Sequence, residues 1–284
     1  MHGLRTPPVA GARFANARAF GGFMALAGNG FETRLPPHVH TAYVLGVVDQ
    51  GSVWVTVNGS SYLAVPGSVI LLAPFVVHTE LPEPGGWSFR YLYPSEAVVR
   101  SALGICGADR RALDFAQPVL HNPAIAAAIA RVHDRVRHDQ DEIRETDELV
   151  RLVRLLRDSA TRAPEFRPPV DRRNIHAVRD MLTERPMRNV RLADLANAAG
   201  LSQFHFTRVF KSEFGLPPYA YFEQVRIAHA HDLIHQGHDL TSVAYQLGYA
   251  DQSHLTRHFH RGSFTTPGHL AQLARIAGRN ARDS

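Results

Sequence analysis

Three imidazoles and two Thr-Arg pairs carry the chemistry that this sequence could do. His38 and His40 flank a single residue, so an extended strand would turn both rings to one face. His78 from a second strand could complete three nitrogens able to hold zinc or iron. The same rings could instead touch an organic ligand or hydrogen-bond at a barrel mouth. Tyr43, Trp54 and Tyr91 could line that cavity or be ordinary core. Farther along, Thr207-Arg208 and Thr256-Arg257 stand in similar polar surroundings. Arginine can bond a guanine edge with two N–H groups, and threonine can meet a thymine methyl or a phosphate. Other chemistries lack their signatures: there is no Gly-rich phosphate loop, Ser/His/Asp nucleophile setting or paired-cysteine zinc pattern. Cys106 is the single cysteine, so no internal disulfide forms. Alkyl transfer would have only this one thiol, with no obvious base beside it.

Two architectures are needed to position these groups. From Phe31 to about Tyr93, short runs of Val, Ile, Tyr and Trp are punctuated by DQG, NG and PG, and VWVTV alternates as a half-buried strand should. Several short strands at this spacing predict a sandwich or barrel. From about Asn122 to Ala160 the period becomes helical, with Ile125, Ile129, Val132 and Val136, then Leu149, Val153 and Leu156. Asn122-Pro123 suits a helix start. These stripes fit either packing on the barrel or a seam between two subunits. APEFRPPVDRR reads as a linker, and everything after it reads as helices. The expected class is α+β multidomain. A β-barrel domain spans 1–120, a helical dimerisation segment 121–162, a linker 163–171 and an all-α domain 172–284.

The helical half repeats itself. Leu192, Ala196 and Gly200 correspond to Leu240, Ala244 and Gly248, and Phe206, Thr207, Arg208 and Phe210 to Leu255, Thr256, Arg257 and Phe259. Each copy has a helix-turn-helix layout. A small residue allows close approach, glycine four residues on tolerates the left-handed turn, and Ser202 or Asp251 caps the next helix. That second helix has an apolar face (Phe206, Val209, Phe210; Leu255, Phe259) and an outer face. Phe204, Thr207, Arg208 and Lys211 recur as Ser253, Thr256, Arg257 and His260. Such a face suits the major groove, although one polar helix face alone is commonly just solvated.

LADLANAAGLSQFHFTRVFKSEFGLPPYAYF, the joining VRIAHAHDLI, then VAYQLGYADQSHLTRHF and TTPGHL resemble the paired DNA-binding domain of AraC/XylS-type regulators. The resemblance implies reading helices beginning near Gln203 and Gln252, joined by a long helix near Tyr219 to His235. It places Gln203, Phe204, Thr207, Arg208 and Lys211, then Gln252, Ser253, His254, Thr256 and Arg257, near double-stranded DNA. One departure is Phe264, where the family usually has glycine after the second reading helix; Gly262 comes two residues earlier. More loosely, PPHVH, Gly51, Pro66-Gly67, Pro74 and His78 resemble the cupin-like effector-binding domain of the same family. His38, His40, Tyr43, Trp54, His78 and Tyr91 are the implied effector contacts. Enzymatic cupins add a carboxylate soon after His-x-His, and here Val44 stands in that place.

A regulator controlled by a small-molecule effector is therefore expected. The alternative is a metal-dependent cupin enzyme with a DNA-binding tail. No cofactor is expected, with His38, His40 and His78 kept as metal candidates. The balance of 31 Lys+Arg against 26 Asp+Glu is mildly basic, and residues 171–284 hold 14 basic and 10 acidic side chains, which suits a polyanion partner. No stretch approaches the roughly 20 apolar residues of a membrane span, and the first residues lack a signal-peptide pattern. A cytoplasmic homodimer acting beside RNA polymerase, with no membrane partner, is the expected setting.

Overall fold

The computed structural model describes residues 12–106, 112–138, 141–159, 172–184, 186, 190–262 and 266–272, without the side chains of 260–262. The expected linker 163–171, Phe264 and the His260 ring lie outside the described set.

The N-terminal half is one antiparallel sheet of eight strands: β1 (Arg13–Ala17), β2 (Phe23–Phe31), β3 (Leu35–His38), β4 (Val44–Val57), β5 (Ser60–Ala64), β6 (Ser68–Leu72), β7 (His78–Tyr93) and β8 (Val119–His121). The main path runs β1-β2-β7-β4-β6-β8, with β3 on β7 and β5 on β4. β4 and β7 are long enough to serve both halves of the roll, and their pairing shifts register around Gln50 and Gly51. Gly51 has φ +67, and a Cβ there would meet the Gly86 carbonyl oxygen at 2.1 Å, so the bulge requires glycine. Alternation sends Val44, Val48, Val53 and Val55 into one barrel core with Phe31, Trp87, Phe89 and Tyr91. Stacking of Trp87 on Phe89 at 4.3 Å and the tilt of Phe89 against Tyr91 at 4.6 Å fill that interior.

The other face of the sheet is covered by helices. α1 (Glu96–Leu103), α2 (Pro123–His138) and α3 (Glu142–Ser159) follow the chain order. Asn122 Oδ1 accepts from the Ala124 and Ile125 amides, as expected of a cap. Ile125, Ile129 and Val132 of α2 and Leu149, Val153 and Leu156 of α3 share a core with Leu45, Val47 and Leu71. The stripes that suited either the barrel or a subunit seam are thus spent on the barrel, each large side chain contributing about 1.5–3 kcal/mol by burial.

The C-terminal half is all helix: α4 (Arg173–Glu184), α5 (Leu192–Ala198), α6 (Gln203–Phe214), α7 (Pro218–His235), α8 (Leu240–Gln246) and α9 (Gln252–Gly262). Gly200 and Gly248 turn α5 into α6 and α8 into α9, with φ +71 and +73. The Ser202 Oγ accepts from the His205 amide, and Asp251 Oδ1 from the His254 amide. α7 is buried on nearly every side, through Tyr221, Phe222, Val225, Ile227, Ala228, Ala230 and Ile234. A helix without a polar face lies inside a fold, and α7 runs between both helix-turn-helix units and the barrel.

Candidate functional site: a cavity and two reading helices

Two helices present matching outer faces. On α6, Gln203, Phe204, Arg208 and Lys211 are exposed, and Phe204 is 81% exposed. On α9, Gln252, Ser253 and Arg257 are exposed. Thr207 and Thr256 are half-buried. Each donates its hydroxyl to the carbonyl four residues earlier, Gln203 or Gln252, both at 2.8 Å. The bond holds each threonine in the same orientation beside its arginine. Beneath these faces Phe206, Phe210, Leu255 and Phe259 are fully buried. His254 departs from the expected set. Its Nδ1 accepts from the Ala250 amide and its Nε2 lies 3.1 Å from His258 Nε2, which turns the ring toward α7 rather than outward.

The second site is a cavity of about 440 Å³ between the barrel mouth and α7. The barrel contributes Phe14, Phe23, Met24, His38, His40, Thr41 and Tyr93, and α7 contributes Ile227, Ala228, His231, Asp232 and His235. Thr41 Oγ1 donates to Asp232 Oδ2 at 2.5 Å across it. Burial holds His38 down at about 4 and His231 at about 3, and keeps His40 well below the usual histidine range; it pushes Asp232 up to about 6 against the Thr41 bond. Among the described residues, no lysine or arginine lines this space.

His38 and His78 face each other across β3 and β7, with ring centroids 4.1 Å apart, and His40 lies 5.0 Å and 5.2 Å from them. One nitrogen from each ring lies within 4.8 Å of the others. Tyr91 sits deeper: its hydroxyl donates to Glu80 at 2.6 Å, and both border a small recess of about 20 Å³ behind His38 and His40. Burial pushes the Glu80 carboxyl up to about 7, although the Tyr91 bond pulls the other way.

Of the six expected effector contacts, His38 and His40 line the cavity, His78 stands behind them and Tyr91 borders the recess, while two are elsewhere. Trp54 is 36% exposed on the outer face, donating to Glu83, because Val53 and Val55 take the inward positions of β4. Tyr43 belongs to the helix-covered core, its hydroxyl donating to Glu96 at 2.6 Å and lying 3.0 Å from the Leu113 carbonyl oxygen. Conversely, sequence reasoning missed Tyr93, Thr41 and the whole α7 wall. The signal was present in AHAHDLI, where apolar residues and histidines leave the joining helix no solvent face.

Comparison with known proteins places both sites in context. The family model for an AraC-like ligand binding domain matches residues 20–154, and one for a helix-turn-helix domain matches 195–272. Among curated relatives, the uncharacterized HTH-type transcriptional regulator YbfI of Bacillus subtilis is 26% identical, over 80% of this chain and 83% of its own. The lactose operon transcription activator of Staphylococcus xylosus is 20% identical, over 76% of this chain and 80% of its own. Among solved structures, ToxT from Vibrio cholerae shares the fold, with TM-score 0.57, 15% identity and 93% and 97% coverage of the two chains. A ToxT structure described as bound to unsaturated fatty acid has TM-score 0.52, 15% identity and coverage of 91% and 94%.

Proposed function

Because the chain belongs to the AraC family of transcription regulators, we propose that its effector occupies the cavity between barrel and α7 and that α7 transmits occupancy to both reading helices. The chain is a DNA-binding regulator with an effector-binding domain. The observation that carries the proposal is the shared wall: His231, Asp232 and His235 line the cavity from the helix that joins the two helix-turn-helix units. A ligand that fits one arrangement of barrel and α7 better than another must shift the DNA-binding equilibrium by that difference in affinity. The cavity lining combines apolar side chains (Phe14, Phe23, Met24, Ile227) with imidazoles. It suits a small amphipathic molecule; ToxT, which shares the fold, is described as bound to unsaturated fatty acid.

On the DNA side, the proposed contacts are Gln203, Phe204, Thr207, Arg208 and Lys211, with Gln252, Ser253, Thr256 and Arg257. Two units in one chain would read segments about one helical turn, roughly 34 Å, apart. The wider proposal is a cytoplasmic homodimer on promoter DNA beside RNA polymerase, acting by binding rather than catalysis. The polar outer faces of α2 and α3 are left for pairing, and sedimentation analysis checks the dimer. No helix among the described residues is long and apolar enough to cross a membrane.

Anisotropy of a labelled duplex from the chain's own upstream intergenic DNA, against a scrambled duplex at stated salt, tests the DNA half. Tighter binding of the native duplex is expected, with Arg208→Ala and Arg257→Ala each costing about 1–3 kcal/mol. Equal, salt-sensitive binding of both duplexes would reduce the protein to a general polyanion binder.

A further inference from the structure

The three-imidazole cluster at the floor of the cavity has a construction that effector contact alone does not require. His38 Nδ1 lies 2.8 Å from the Pro36 carbonyl oxygen, and His78 Nδ1 lies 3.0 Å from the Val76 carbonyl oxygen. A carbonyl only accepts, so each Nδ1 carries the proton and each neutral ring keeps its Nε2 lone pair for a ligand. Backbone bonds of this kind orient histidine ligands in metal sites. The His40 backbone is held by the Phe75 amide, which donates to its carbonyl at 2.8 Å, and among the described residues no hydrogen bond claims its ring. Three nitrogens within 4.8 Å of one another need only small rotations to meet one ion at about 2.0–2.1 Å.

We propose that His38, His40 and His78 bind one divalent transition ion of the zinc class, with its open coordination side facing the cavity. Three imidazoles leave at least one position free on such an ion. His38 and His40 line the cavity while His78 backs them, so the free position points into the ligand space. Among the described residues no lysine or arginine lines the cavity, and the ion would supply a positive charge there. The effector class that follows, resting on the cavity reading above, is a small molecule with an anionic oxygen donor and an apolar body. Glu80 lies outside the ligand set, behind it and tied to Tyr91.

The test uses the full chain, freed of any affinity tag, stripped with chelator and titrated with cobalt(II) or zinc(II) alone. One ion per chain should survive gel filtration, and cobalt should give visible bands of a nitrogen-bound, low-coordinate site. His40→Gln should abolish stoichiometric retention while keeping the metal-free melting temperature of the parent. His254→Gln with His258→Gln removes the other close imidazole pair and should leave retention intact. Absence of a bound ion in the parent, or retention that survives His40→Gln, overturns the site. Addition of acetohydroxamate, a two-oxygen chelator, should shift the cobalt bands. Unchanged bands would overturn the open coordination side, and with it the anionic effector class. None of these outcomes touches the DNA-binding reading, which the duplex measurements test separately.

Discussion

The two helix-turn-helix units present nearly the same outer face but are anchored differently. The first draws barrel residues into its own core: Val39 and Val77 pack with Phe206, Phe210, Phe214 and Tyr221, and the Tyr221 hydroxyl donates to the Phe75 carbonyl at 3.1 Å. The second has a core from α7, α8, α9 and Leu270, including Ile234, Val243, Leu255 and Phe259, and among the described residues no barrel residue joins it. Each also has a glutamate clasp. Glu213 of α6 holds Arg172 and His176 of the α4 region, whereas Glu223 of α7 accepts from Tyr249 at 2.6 Å and pairs with His258 at 3.0 Å. Arg226 stacks on the Tyr249 ring at 3.9 Å beside that clasp. The first unit therefore shares a core with the barrel, whereas the second meets it through α7, through α9 beside β3 and through Leu270 at the cavity wall. Two similar readers joined to one sensor by unequal routes allow an effector to change their relative placement without altering either reading face.

The sharpest way to break this comparison is to hollow each core in turn. Phe210→Ala and Phe259→Ala each remove a fully buried ring and should cost about 3–5 kcal/mol. Hydrogen exchange should show Phe210→Ala loosening the shared barrel core around Val39 and Val77 as well, and Phe259→Ala loosening α8, α9, adjoining α7 and the β3 edge beside α9. Equal spread of both effects would mean that the units are anchored alike. Next in size, Glu223→Gln should cost about 2 kcal/mol through its charged hydrogen bonds, with lost protection confined to the second unit. Thr41→Val removes the bond to Asp232 and should cost about 1 kcal/mol of docking; domain-resolved proteolysis would register it, and an unchanged pattern would show that the contact carries no coupling.

The smallest effect concerns pH. Burial pushes the Glu213 carboxyl up, but the bonds from His176 and Arg172 prevail and hold it below its usual range. A carboxylate depressed by folding stabilises above its unfolded value near 4.5 and loses that contribution as pH falls through the folded value. Glu213→Gln should therefore flatten the acid limb of the first unit's melting curve below about pH 4.5. A parallel limb in parent and variant would remove Glu213 from the account.

Local patterns were legible in the residues, and non-local ones were not. The repeat, its glycine turns, both caps and the buried rings of α6 and α9 follow from spacing alone, because a helix puts residues three and four apart on one side. Tyr43 and Trp54 were harder. Both faces of the first half of β4 are buried, one in the barrel and one under helices, so apolar character does not reveal which way Tyr43 turns. His254 has the spacing of an outer residue, but its ring is claimed by His258 and, through it, by the clasp of a distant glutamate. The pattern of AHAHDLI marks α7 as buried, but what that wall faces depends on the packing of two domains separated by some 190 positions, as between Thr41 and Asp232.

The central claim, that the barrel cavity governs DNA reading through α7, is tested most directly by filling the cavity from the barrel side. Met24 lines it and lies far in sequence from either reading helix. Met24→Trp should change affinity for the native upstream duplex by about fivefold or more, the lower end of typical coupling, and leave affinity for the scrambled duplex unchanged. A folded Met24→Trp protein that binds both duplexes as the parent does would contradict the account.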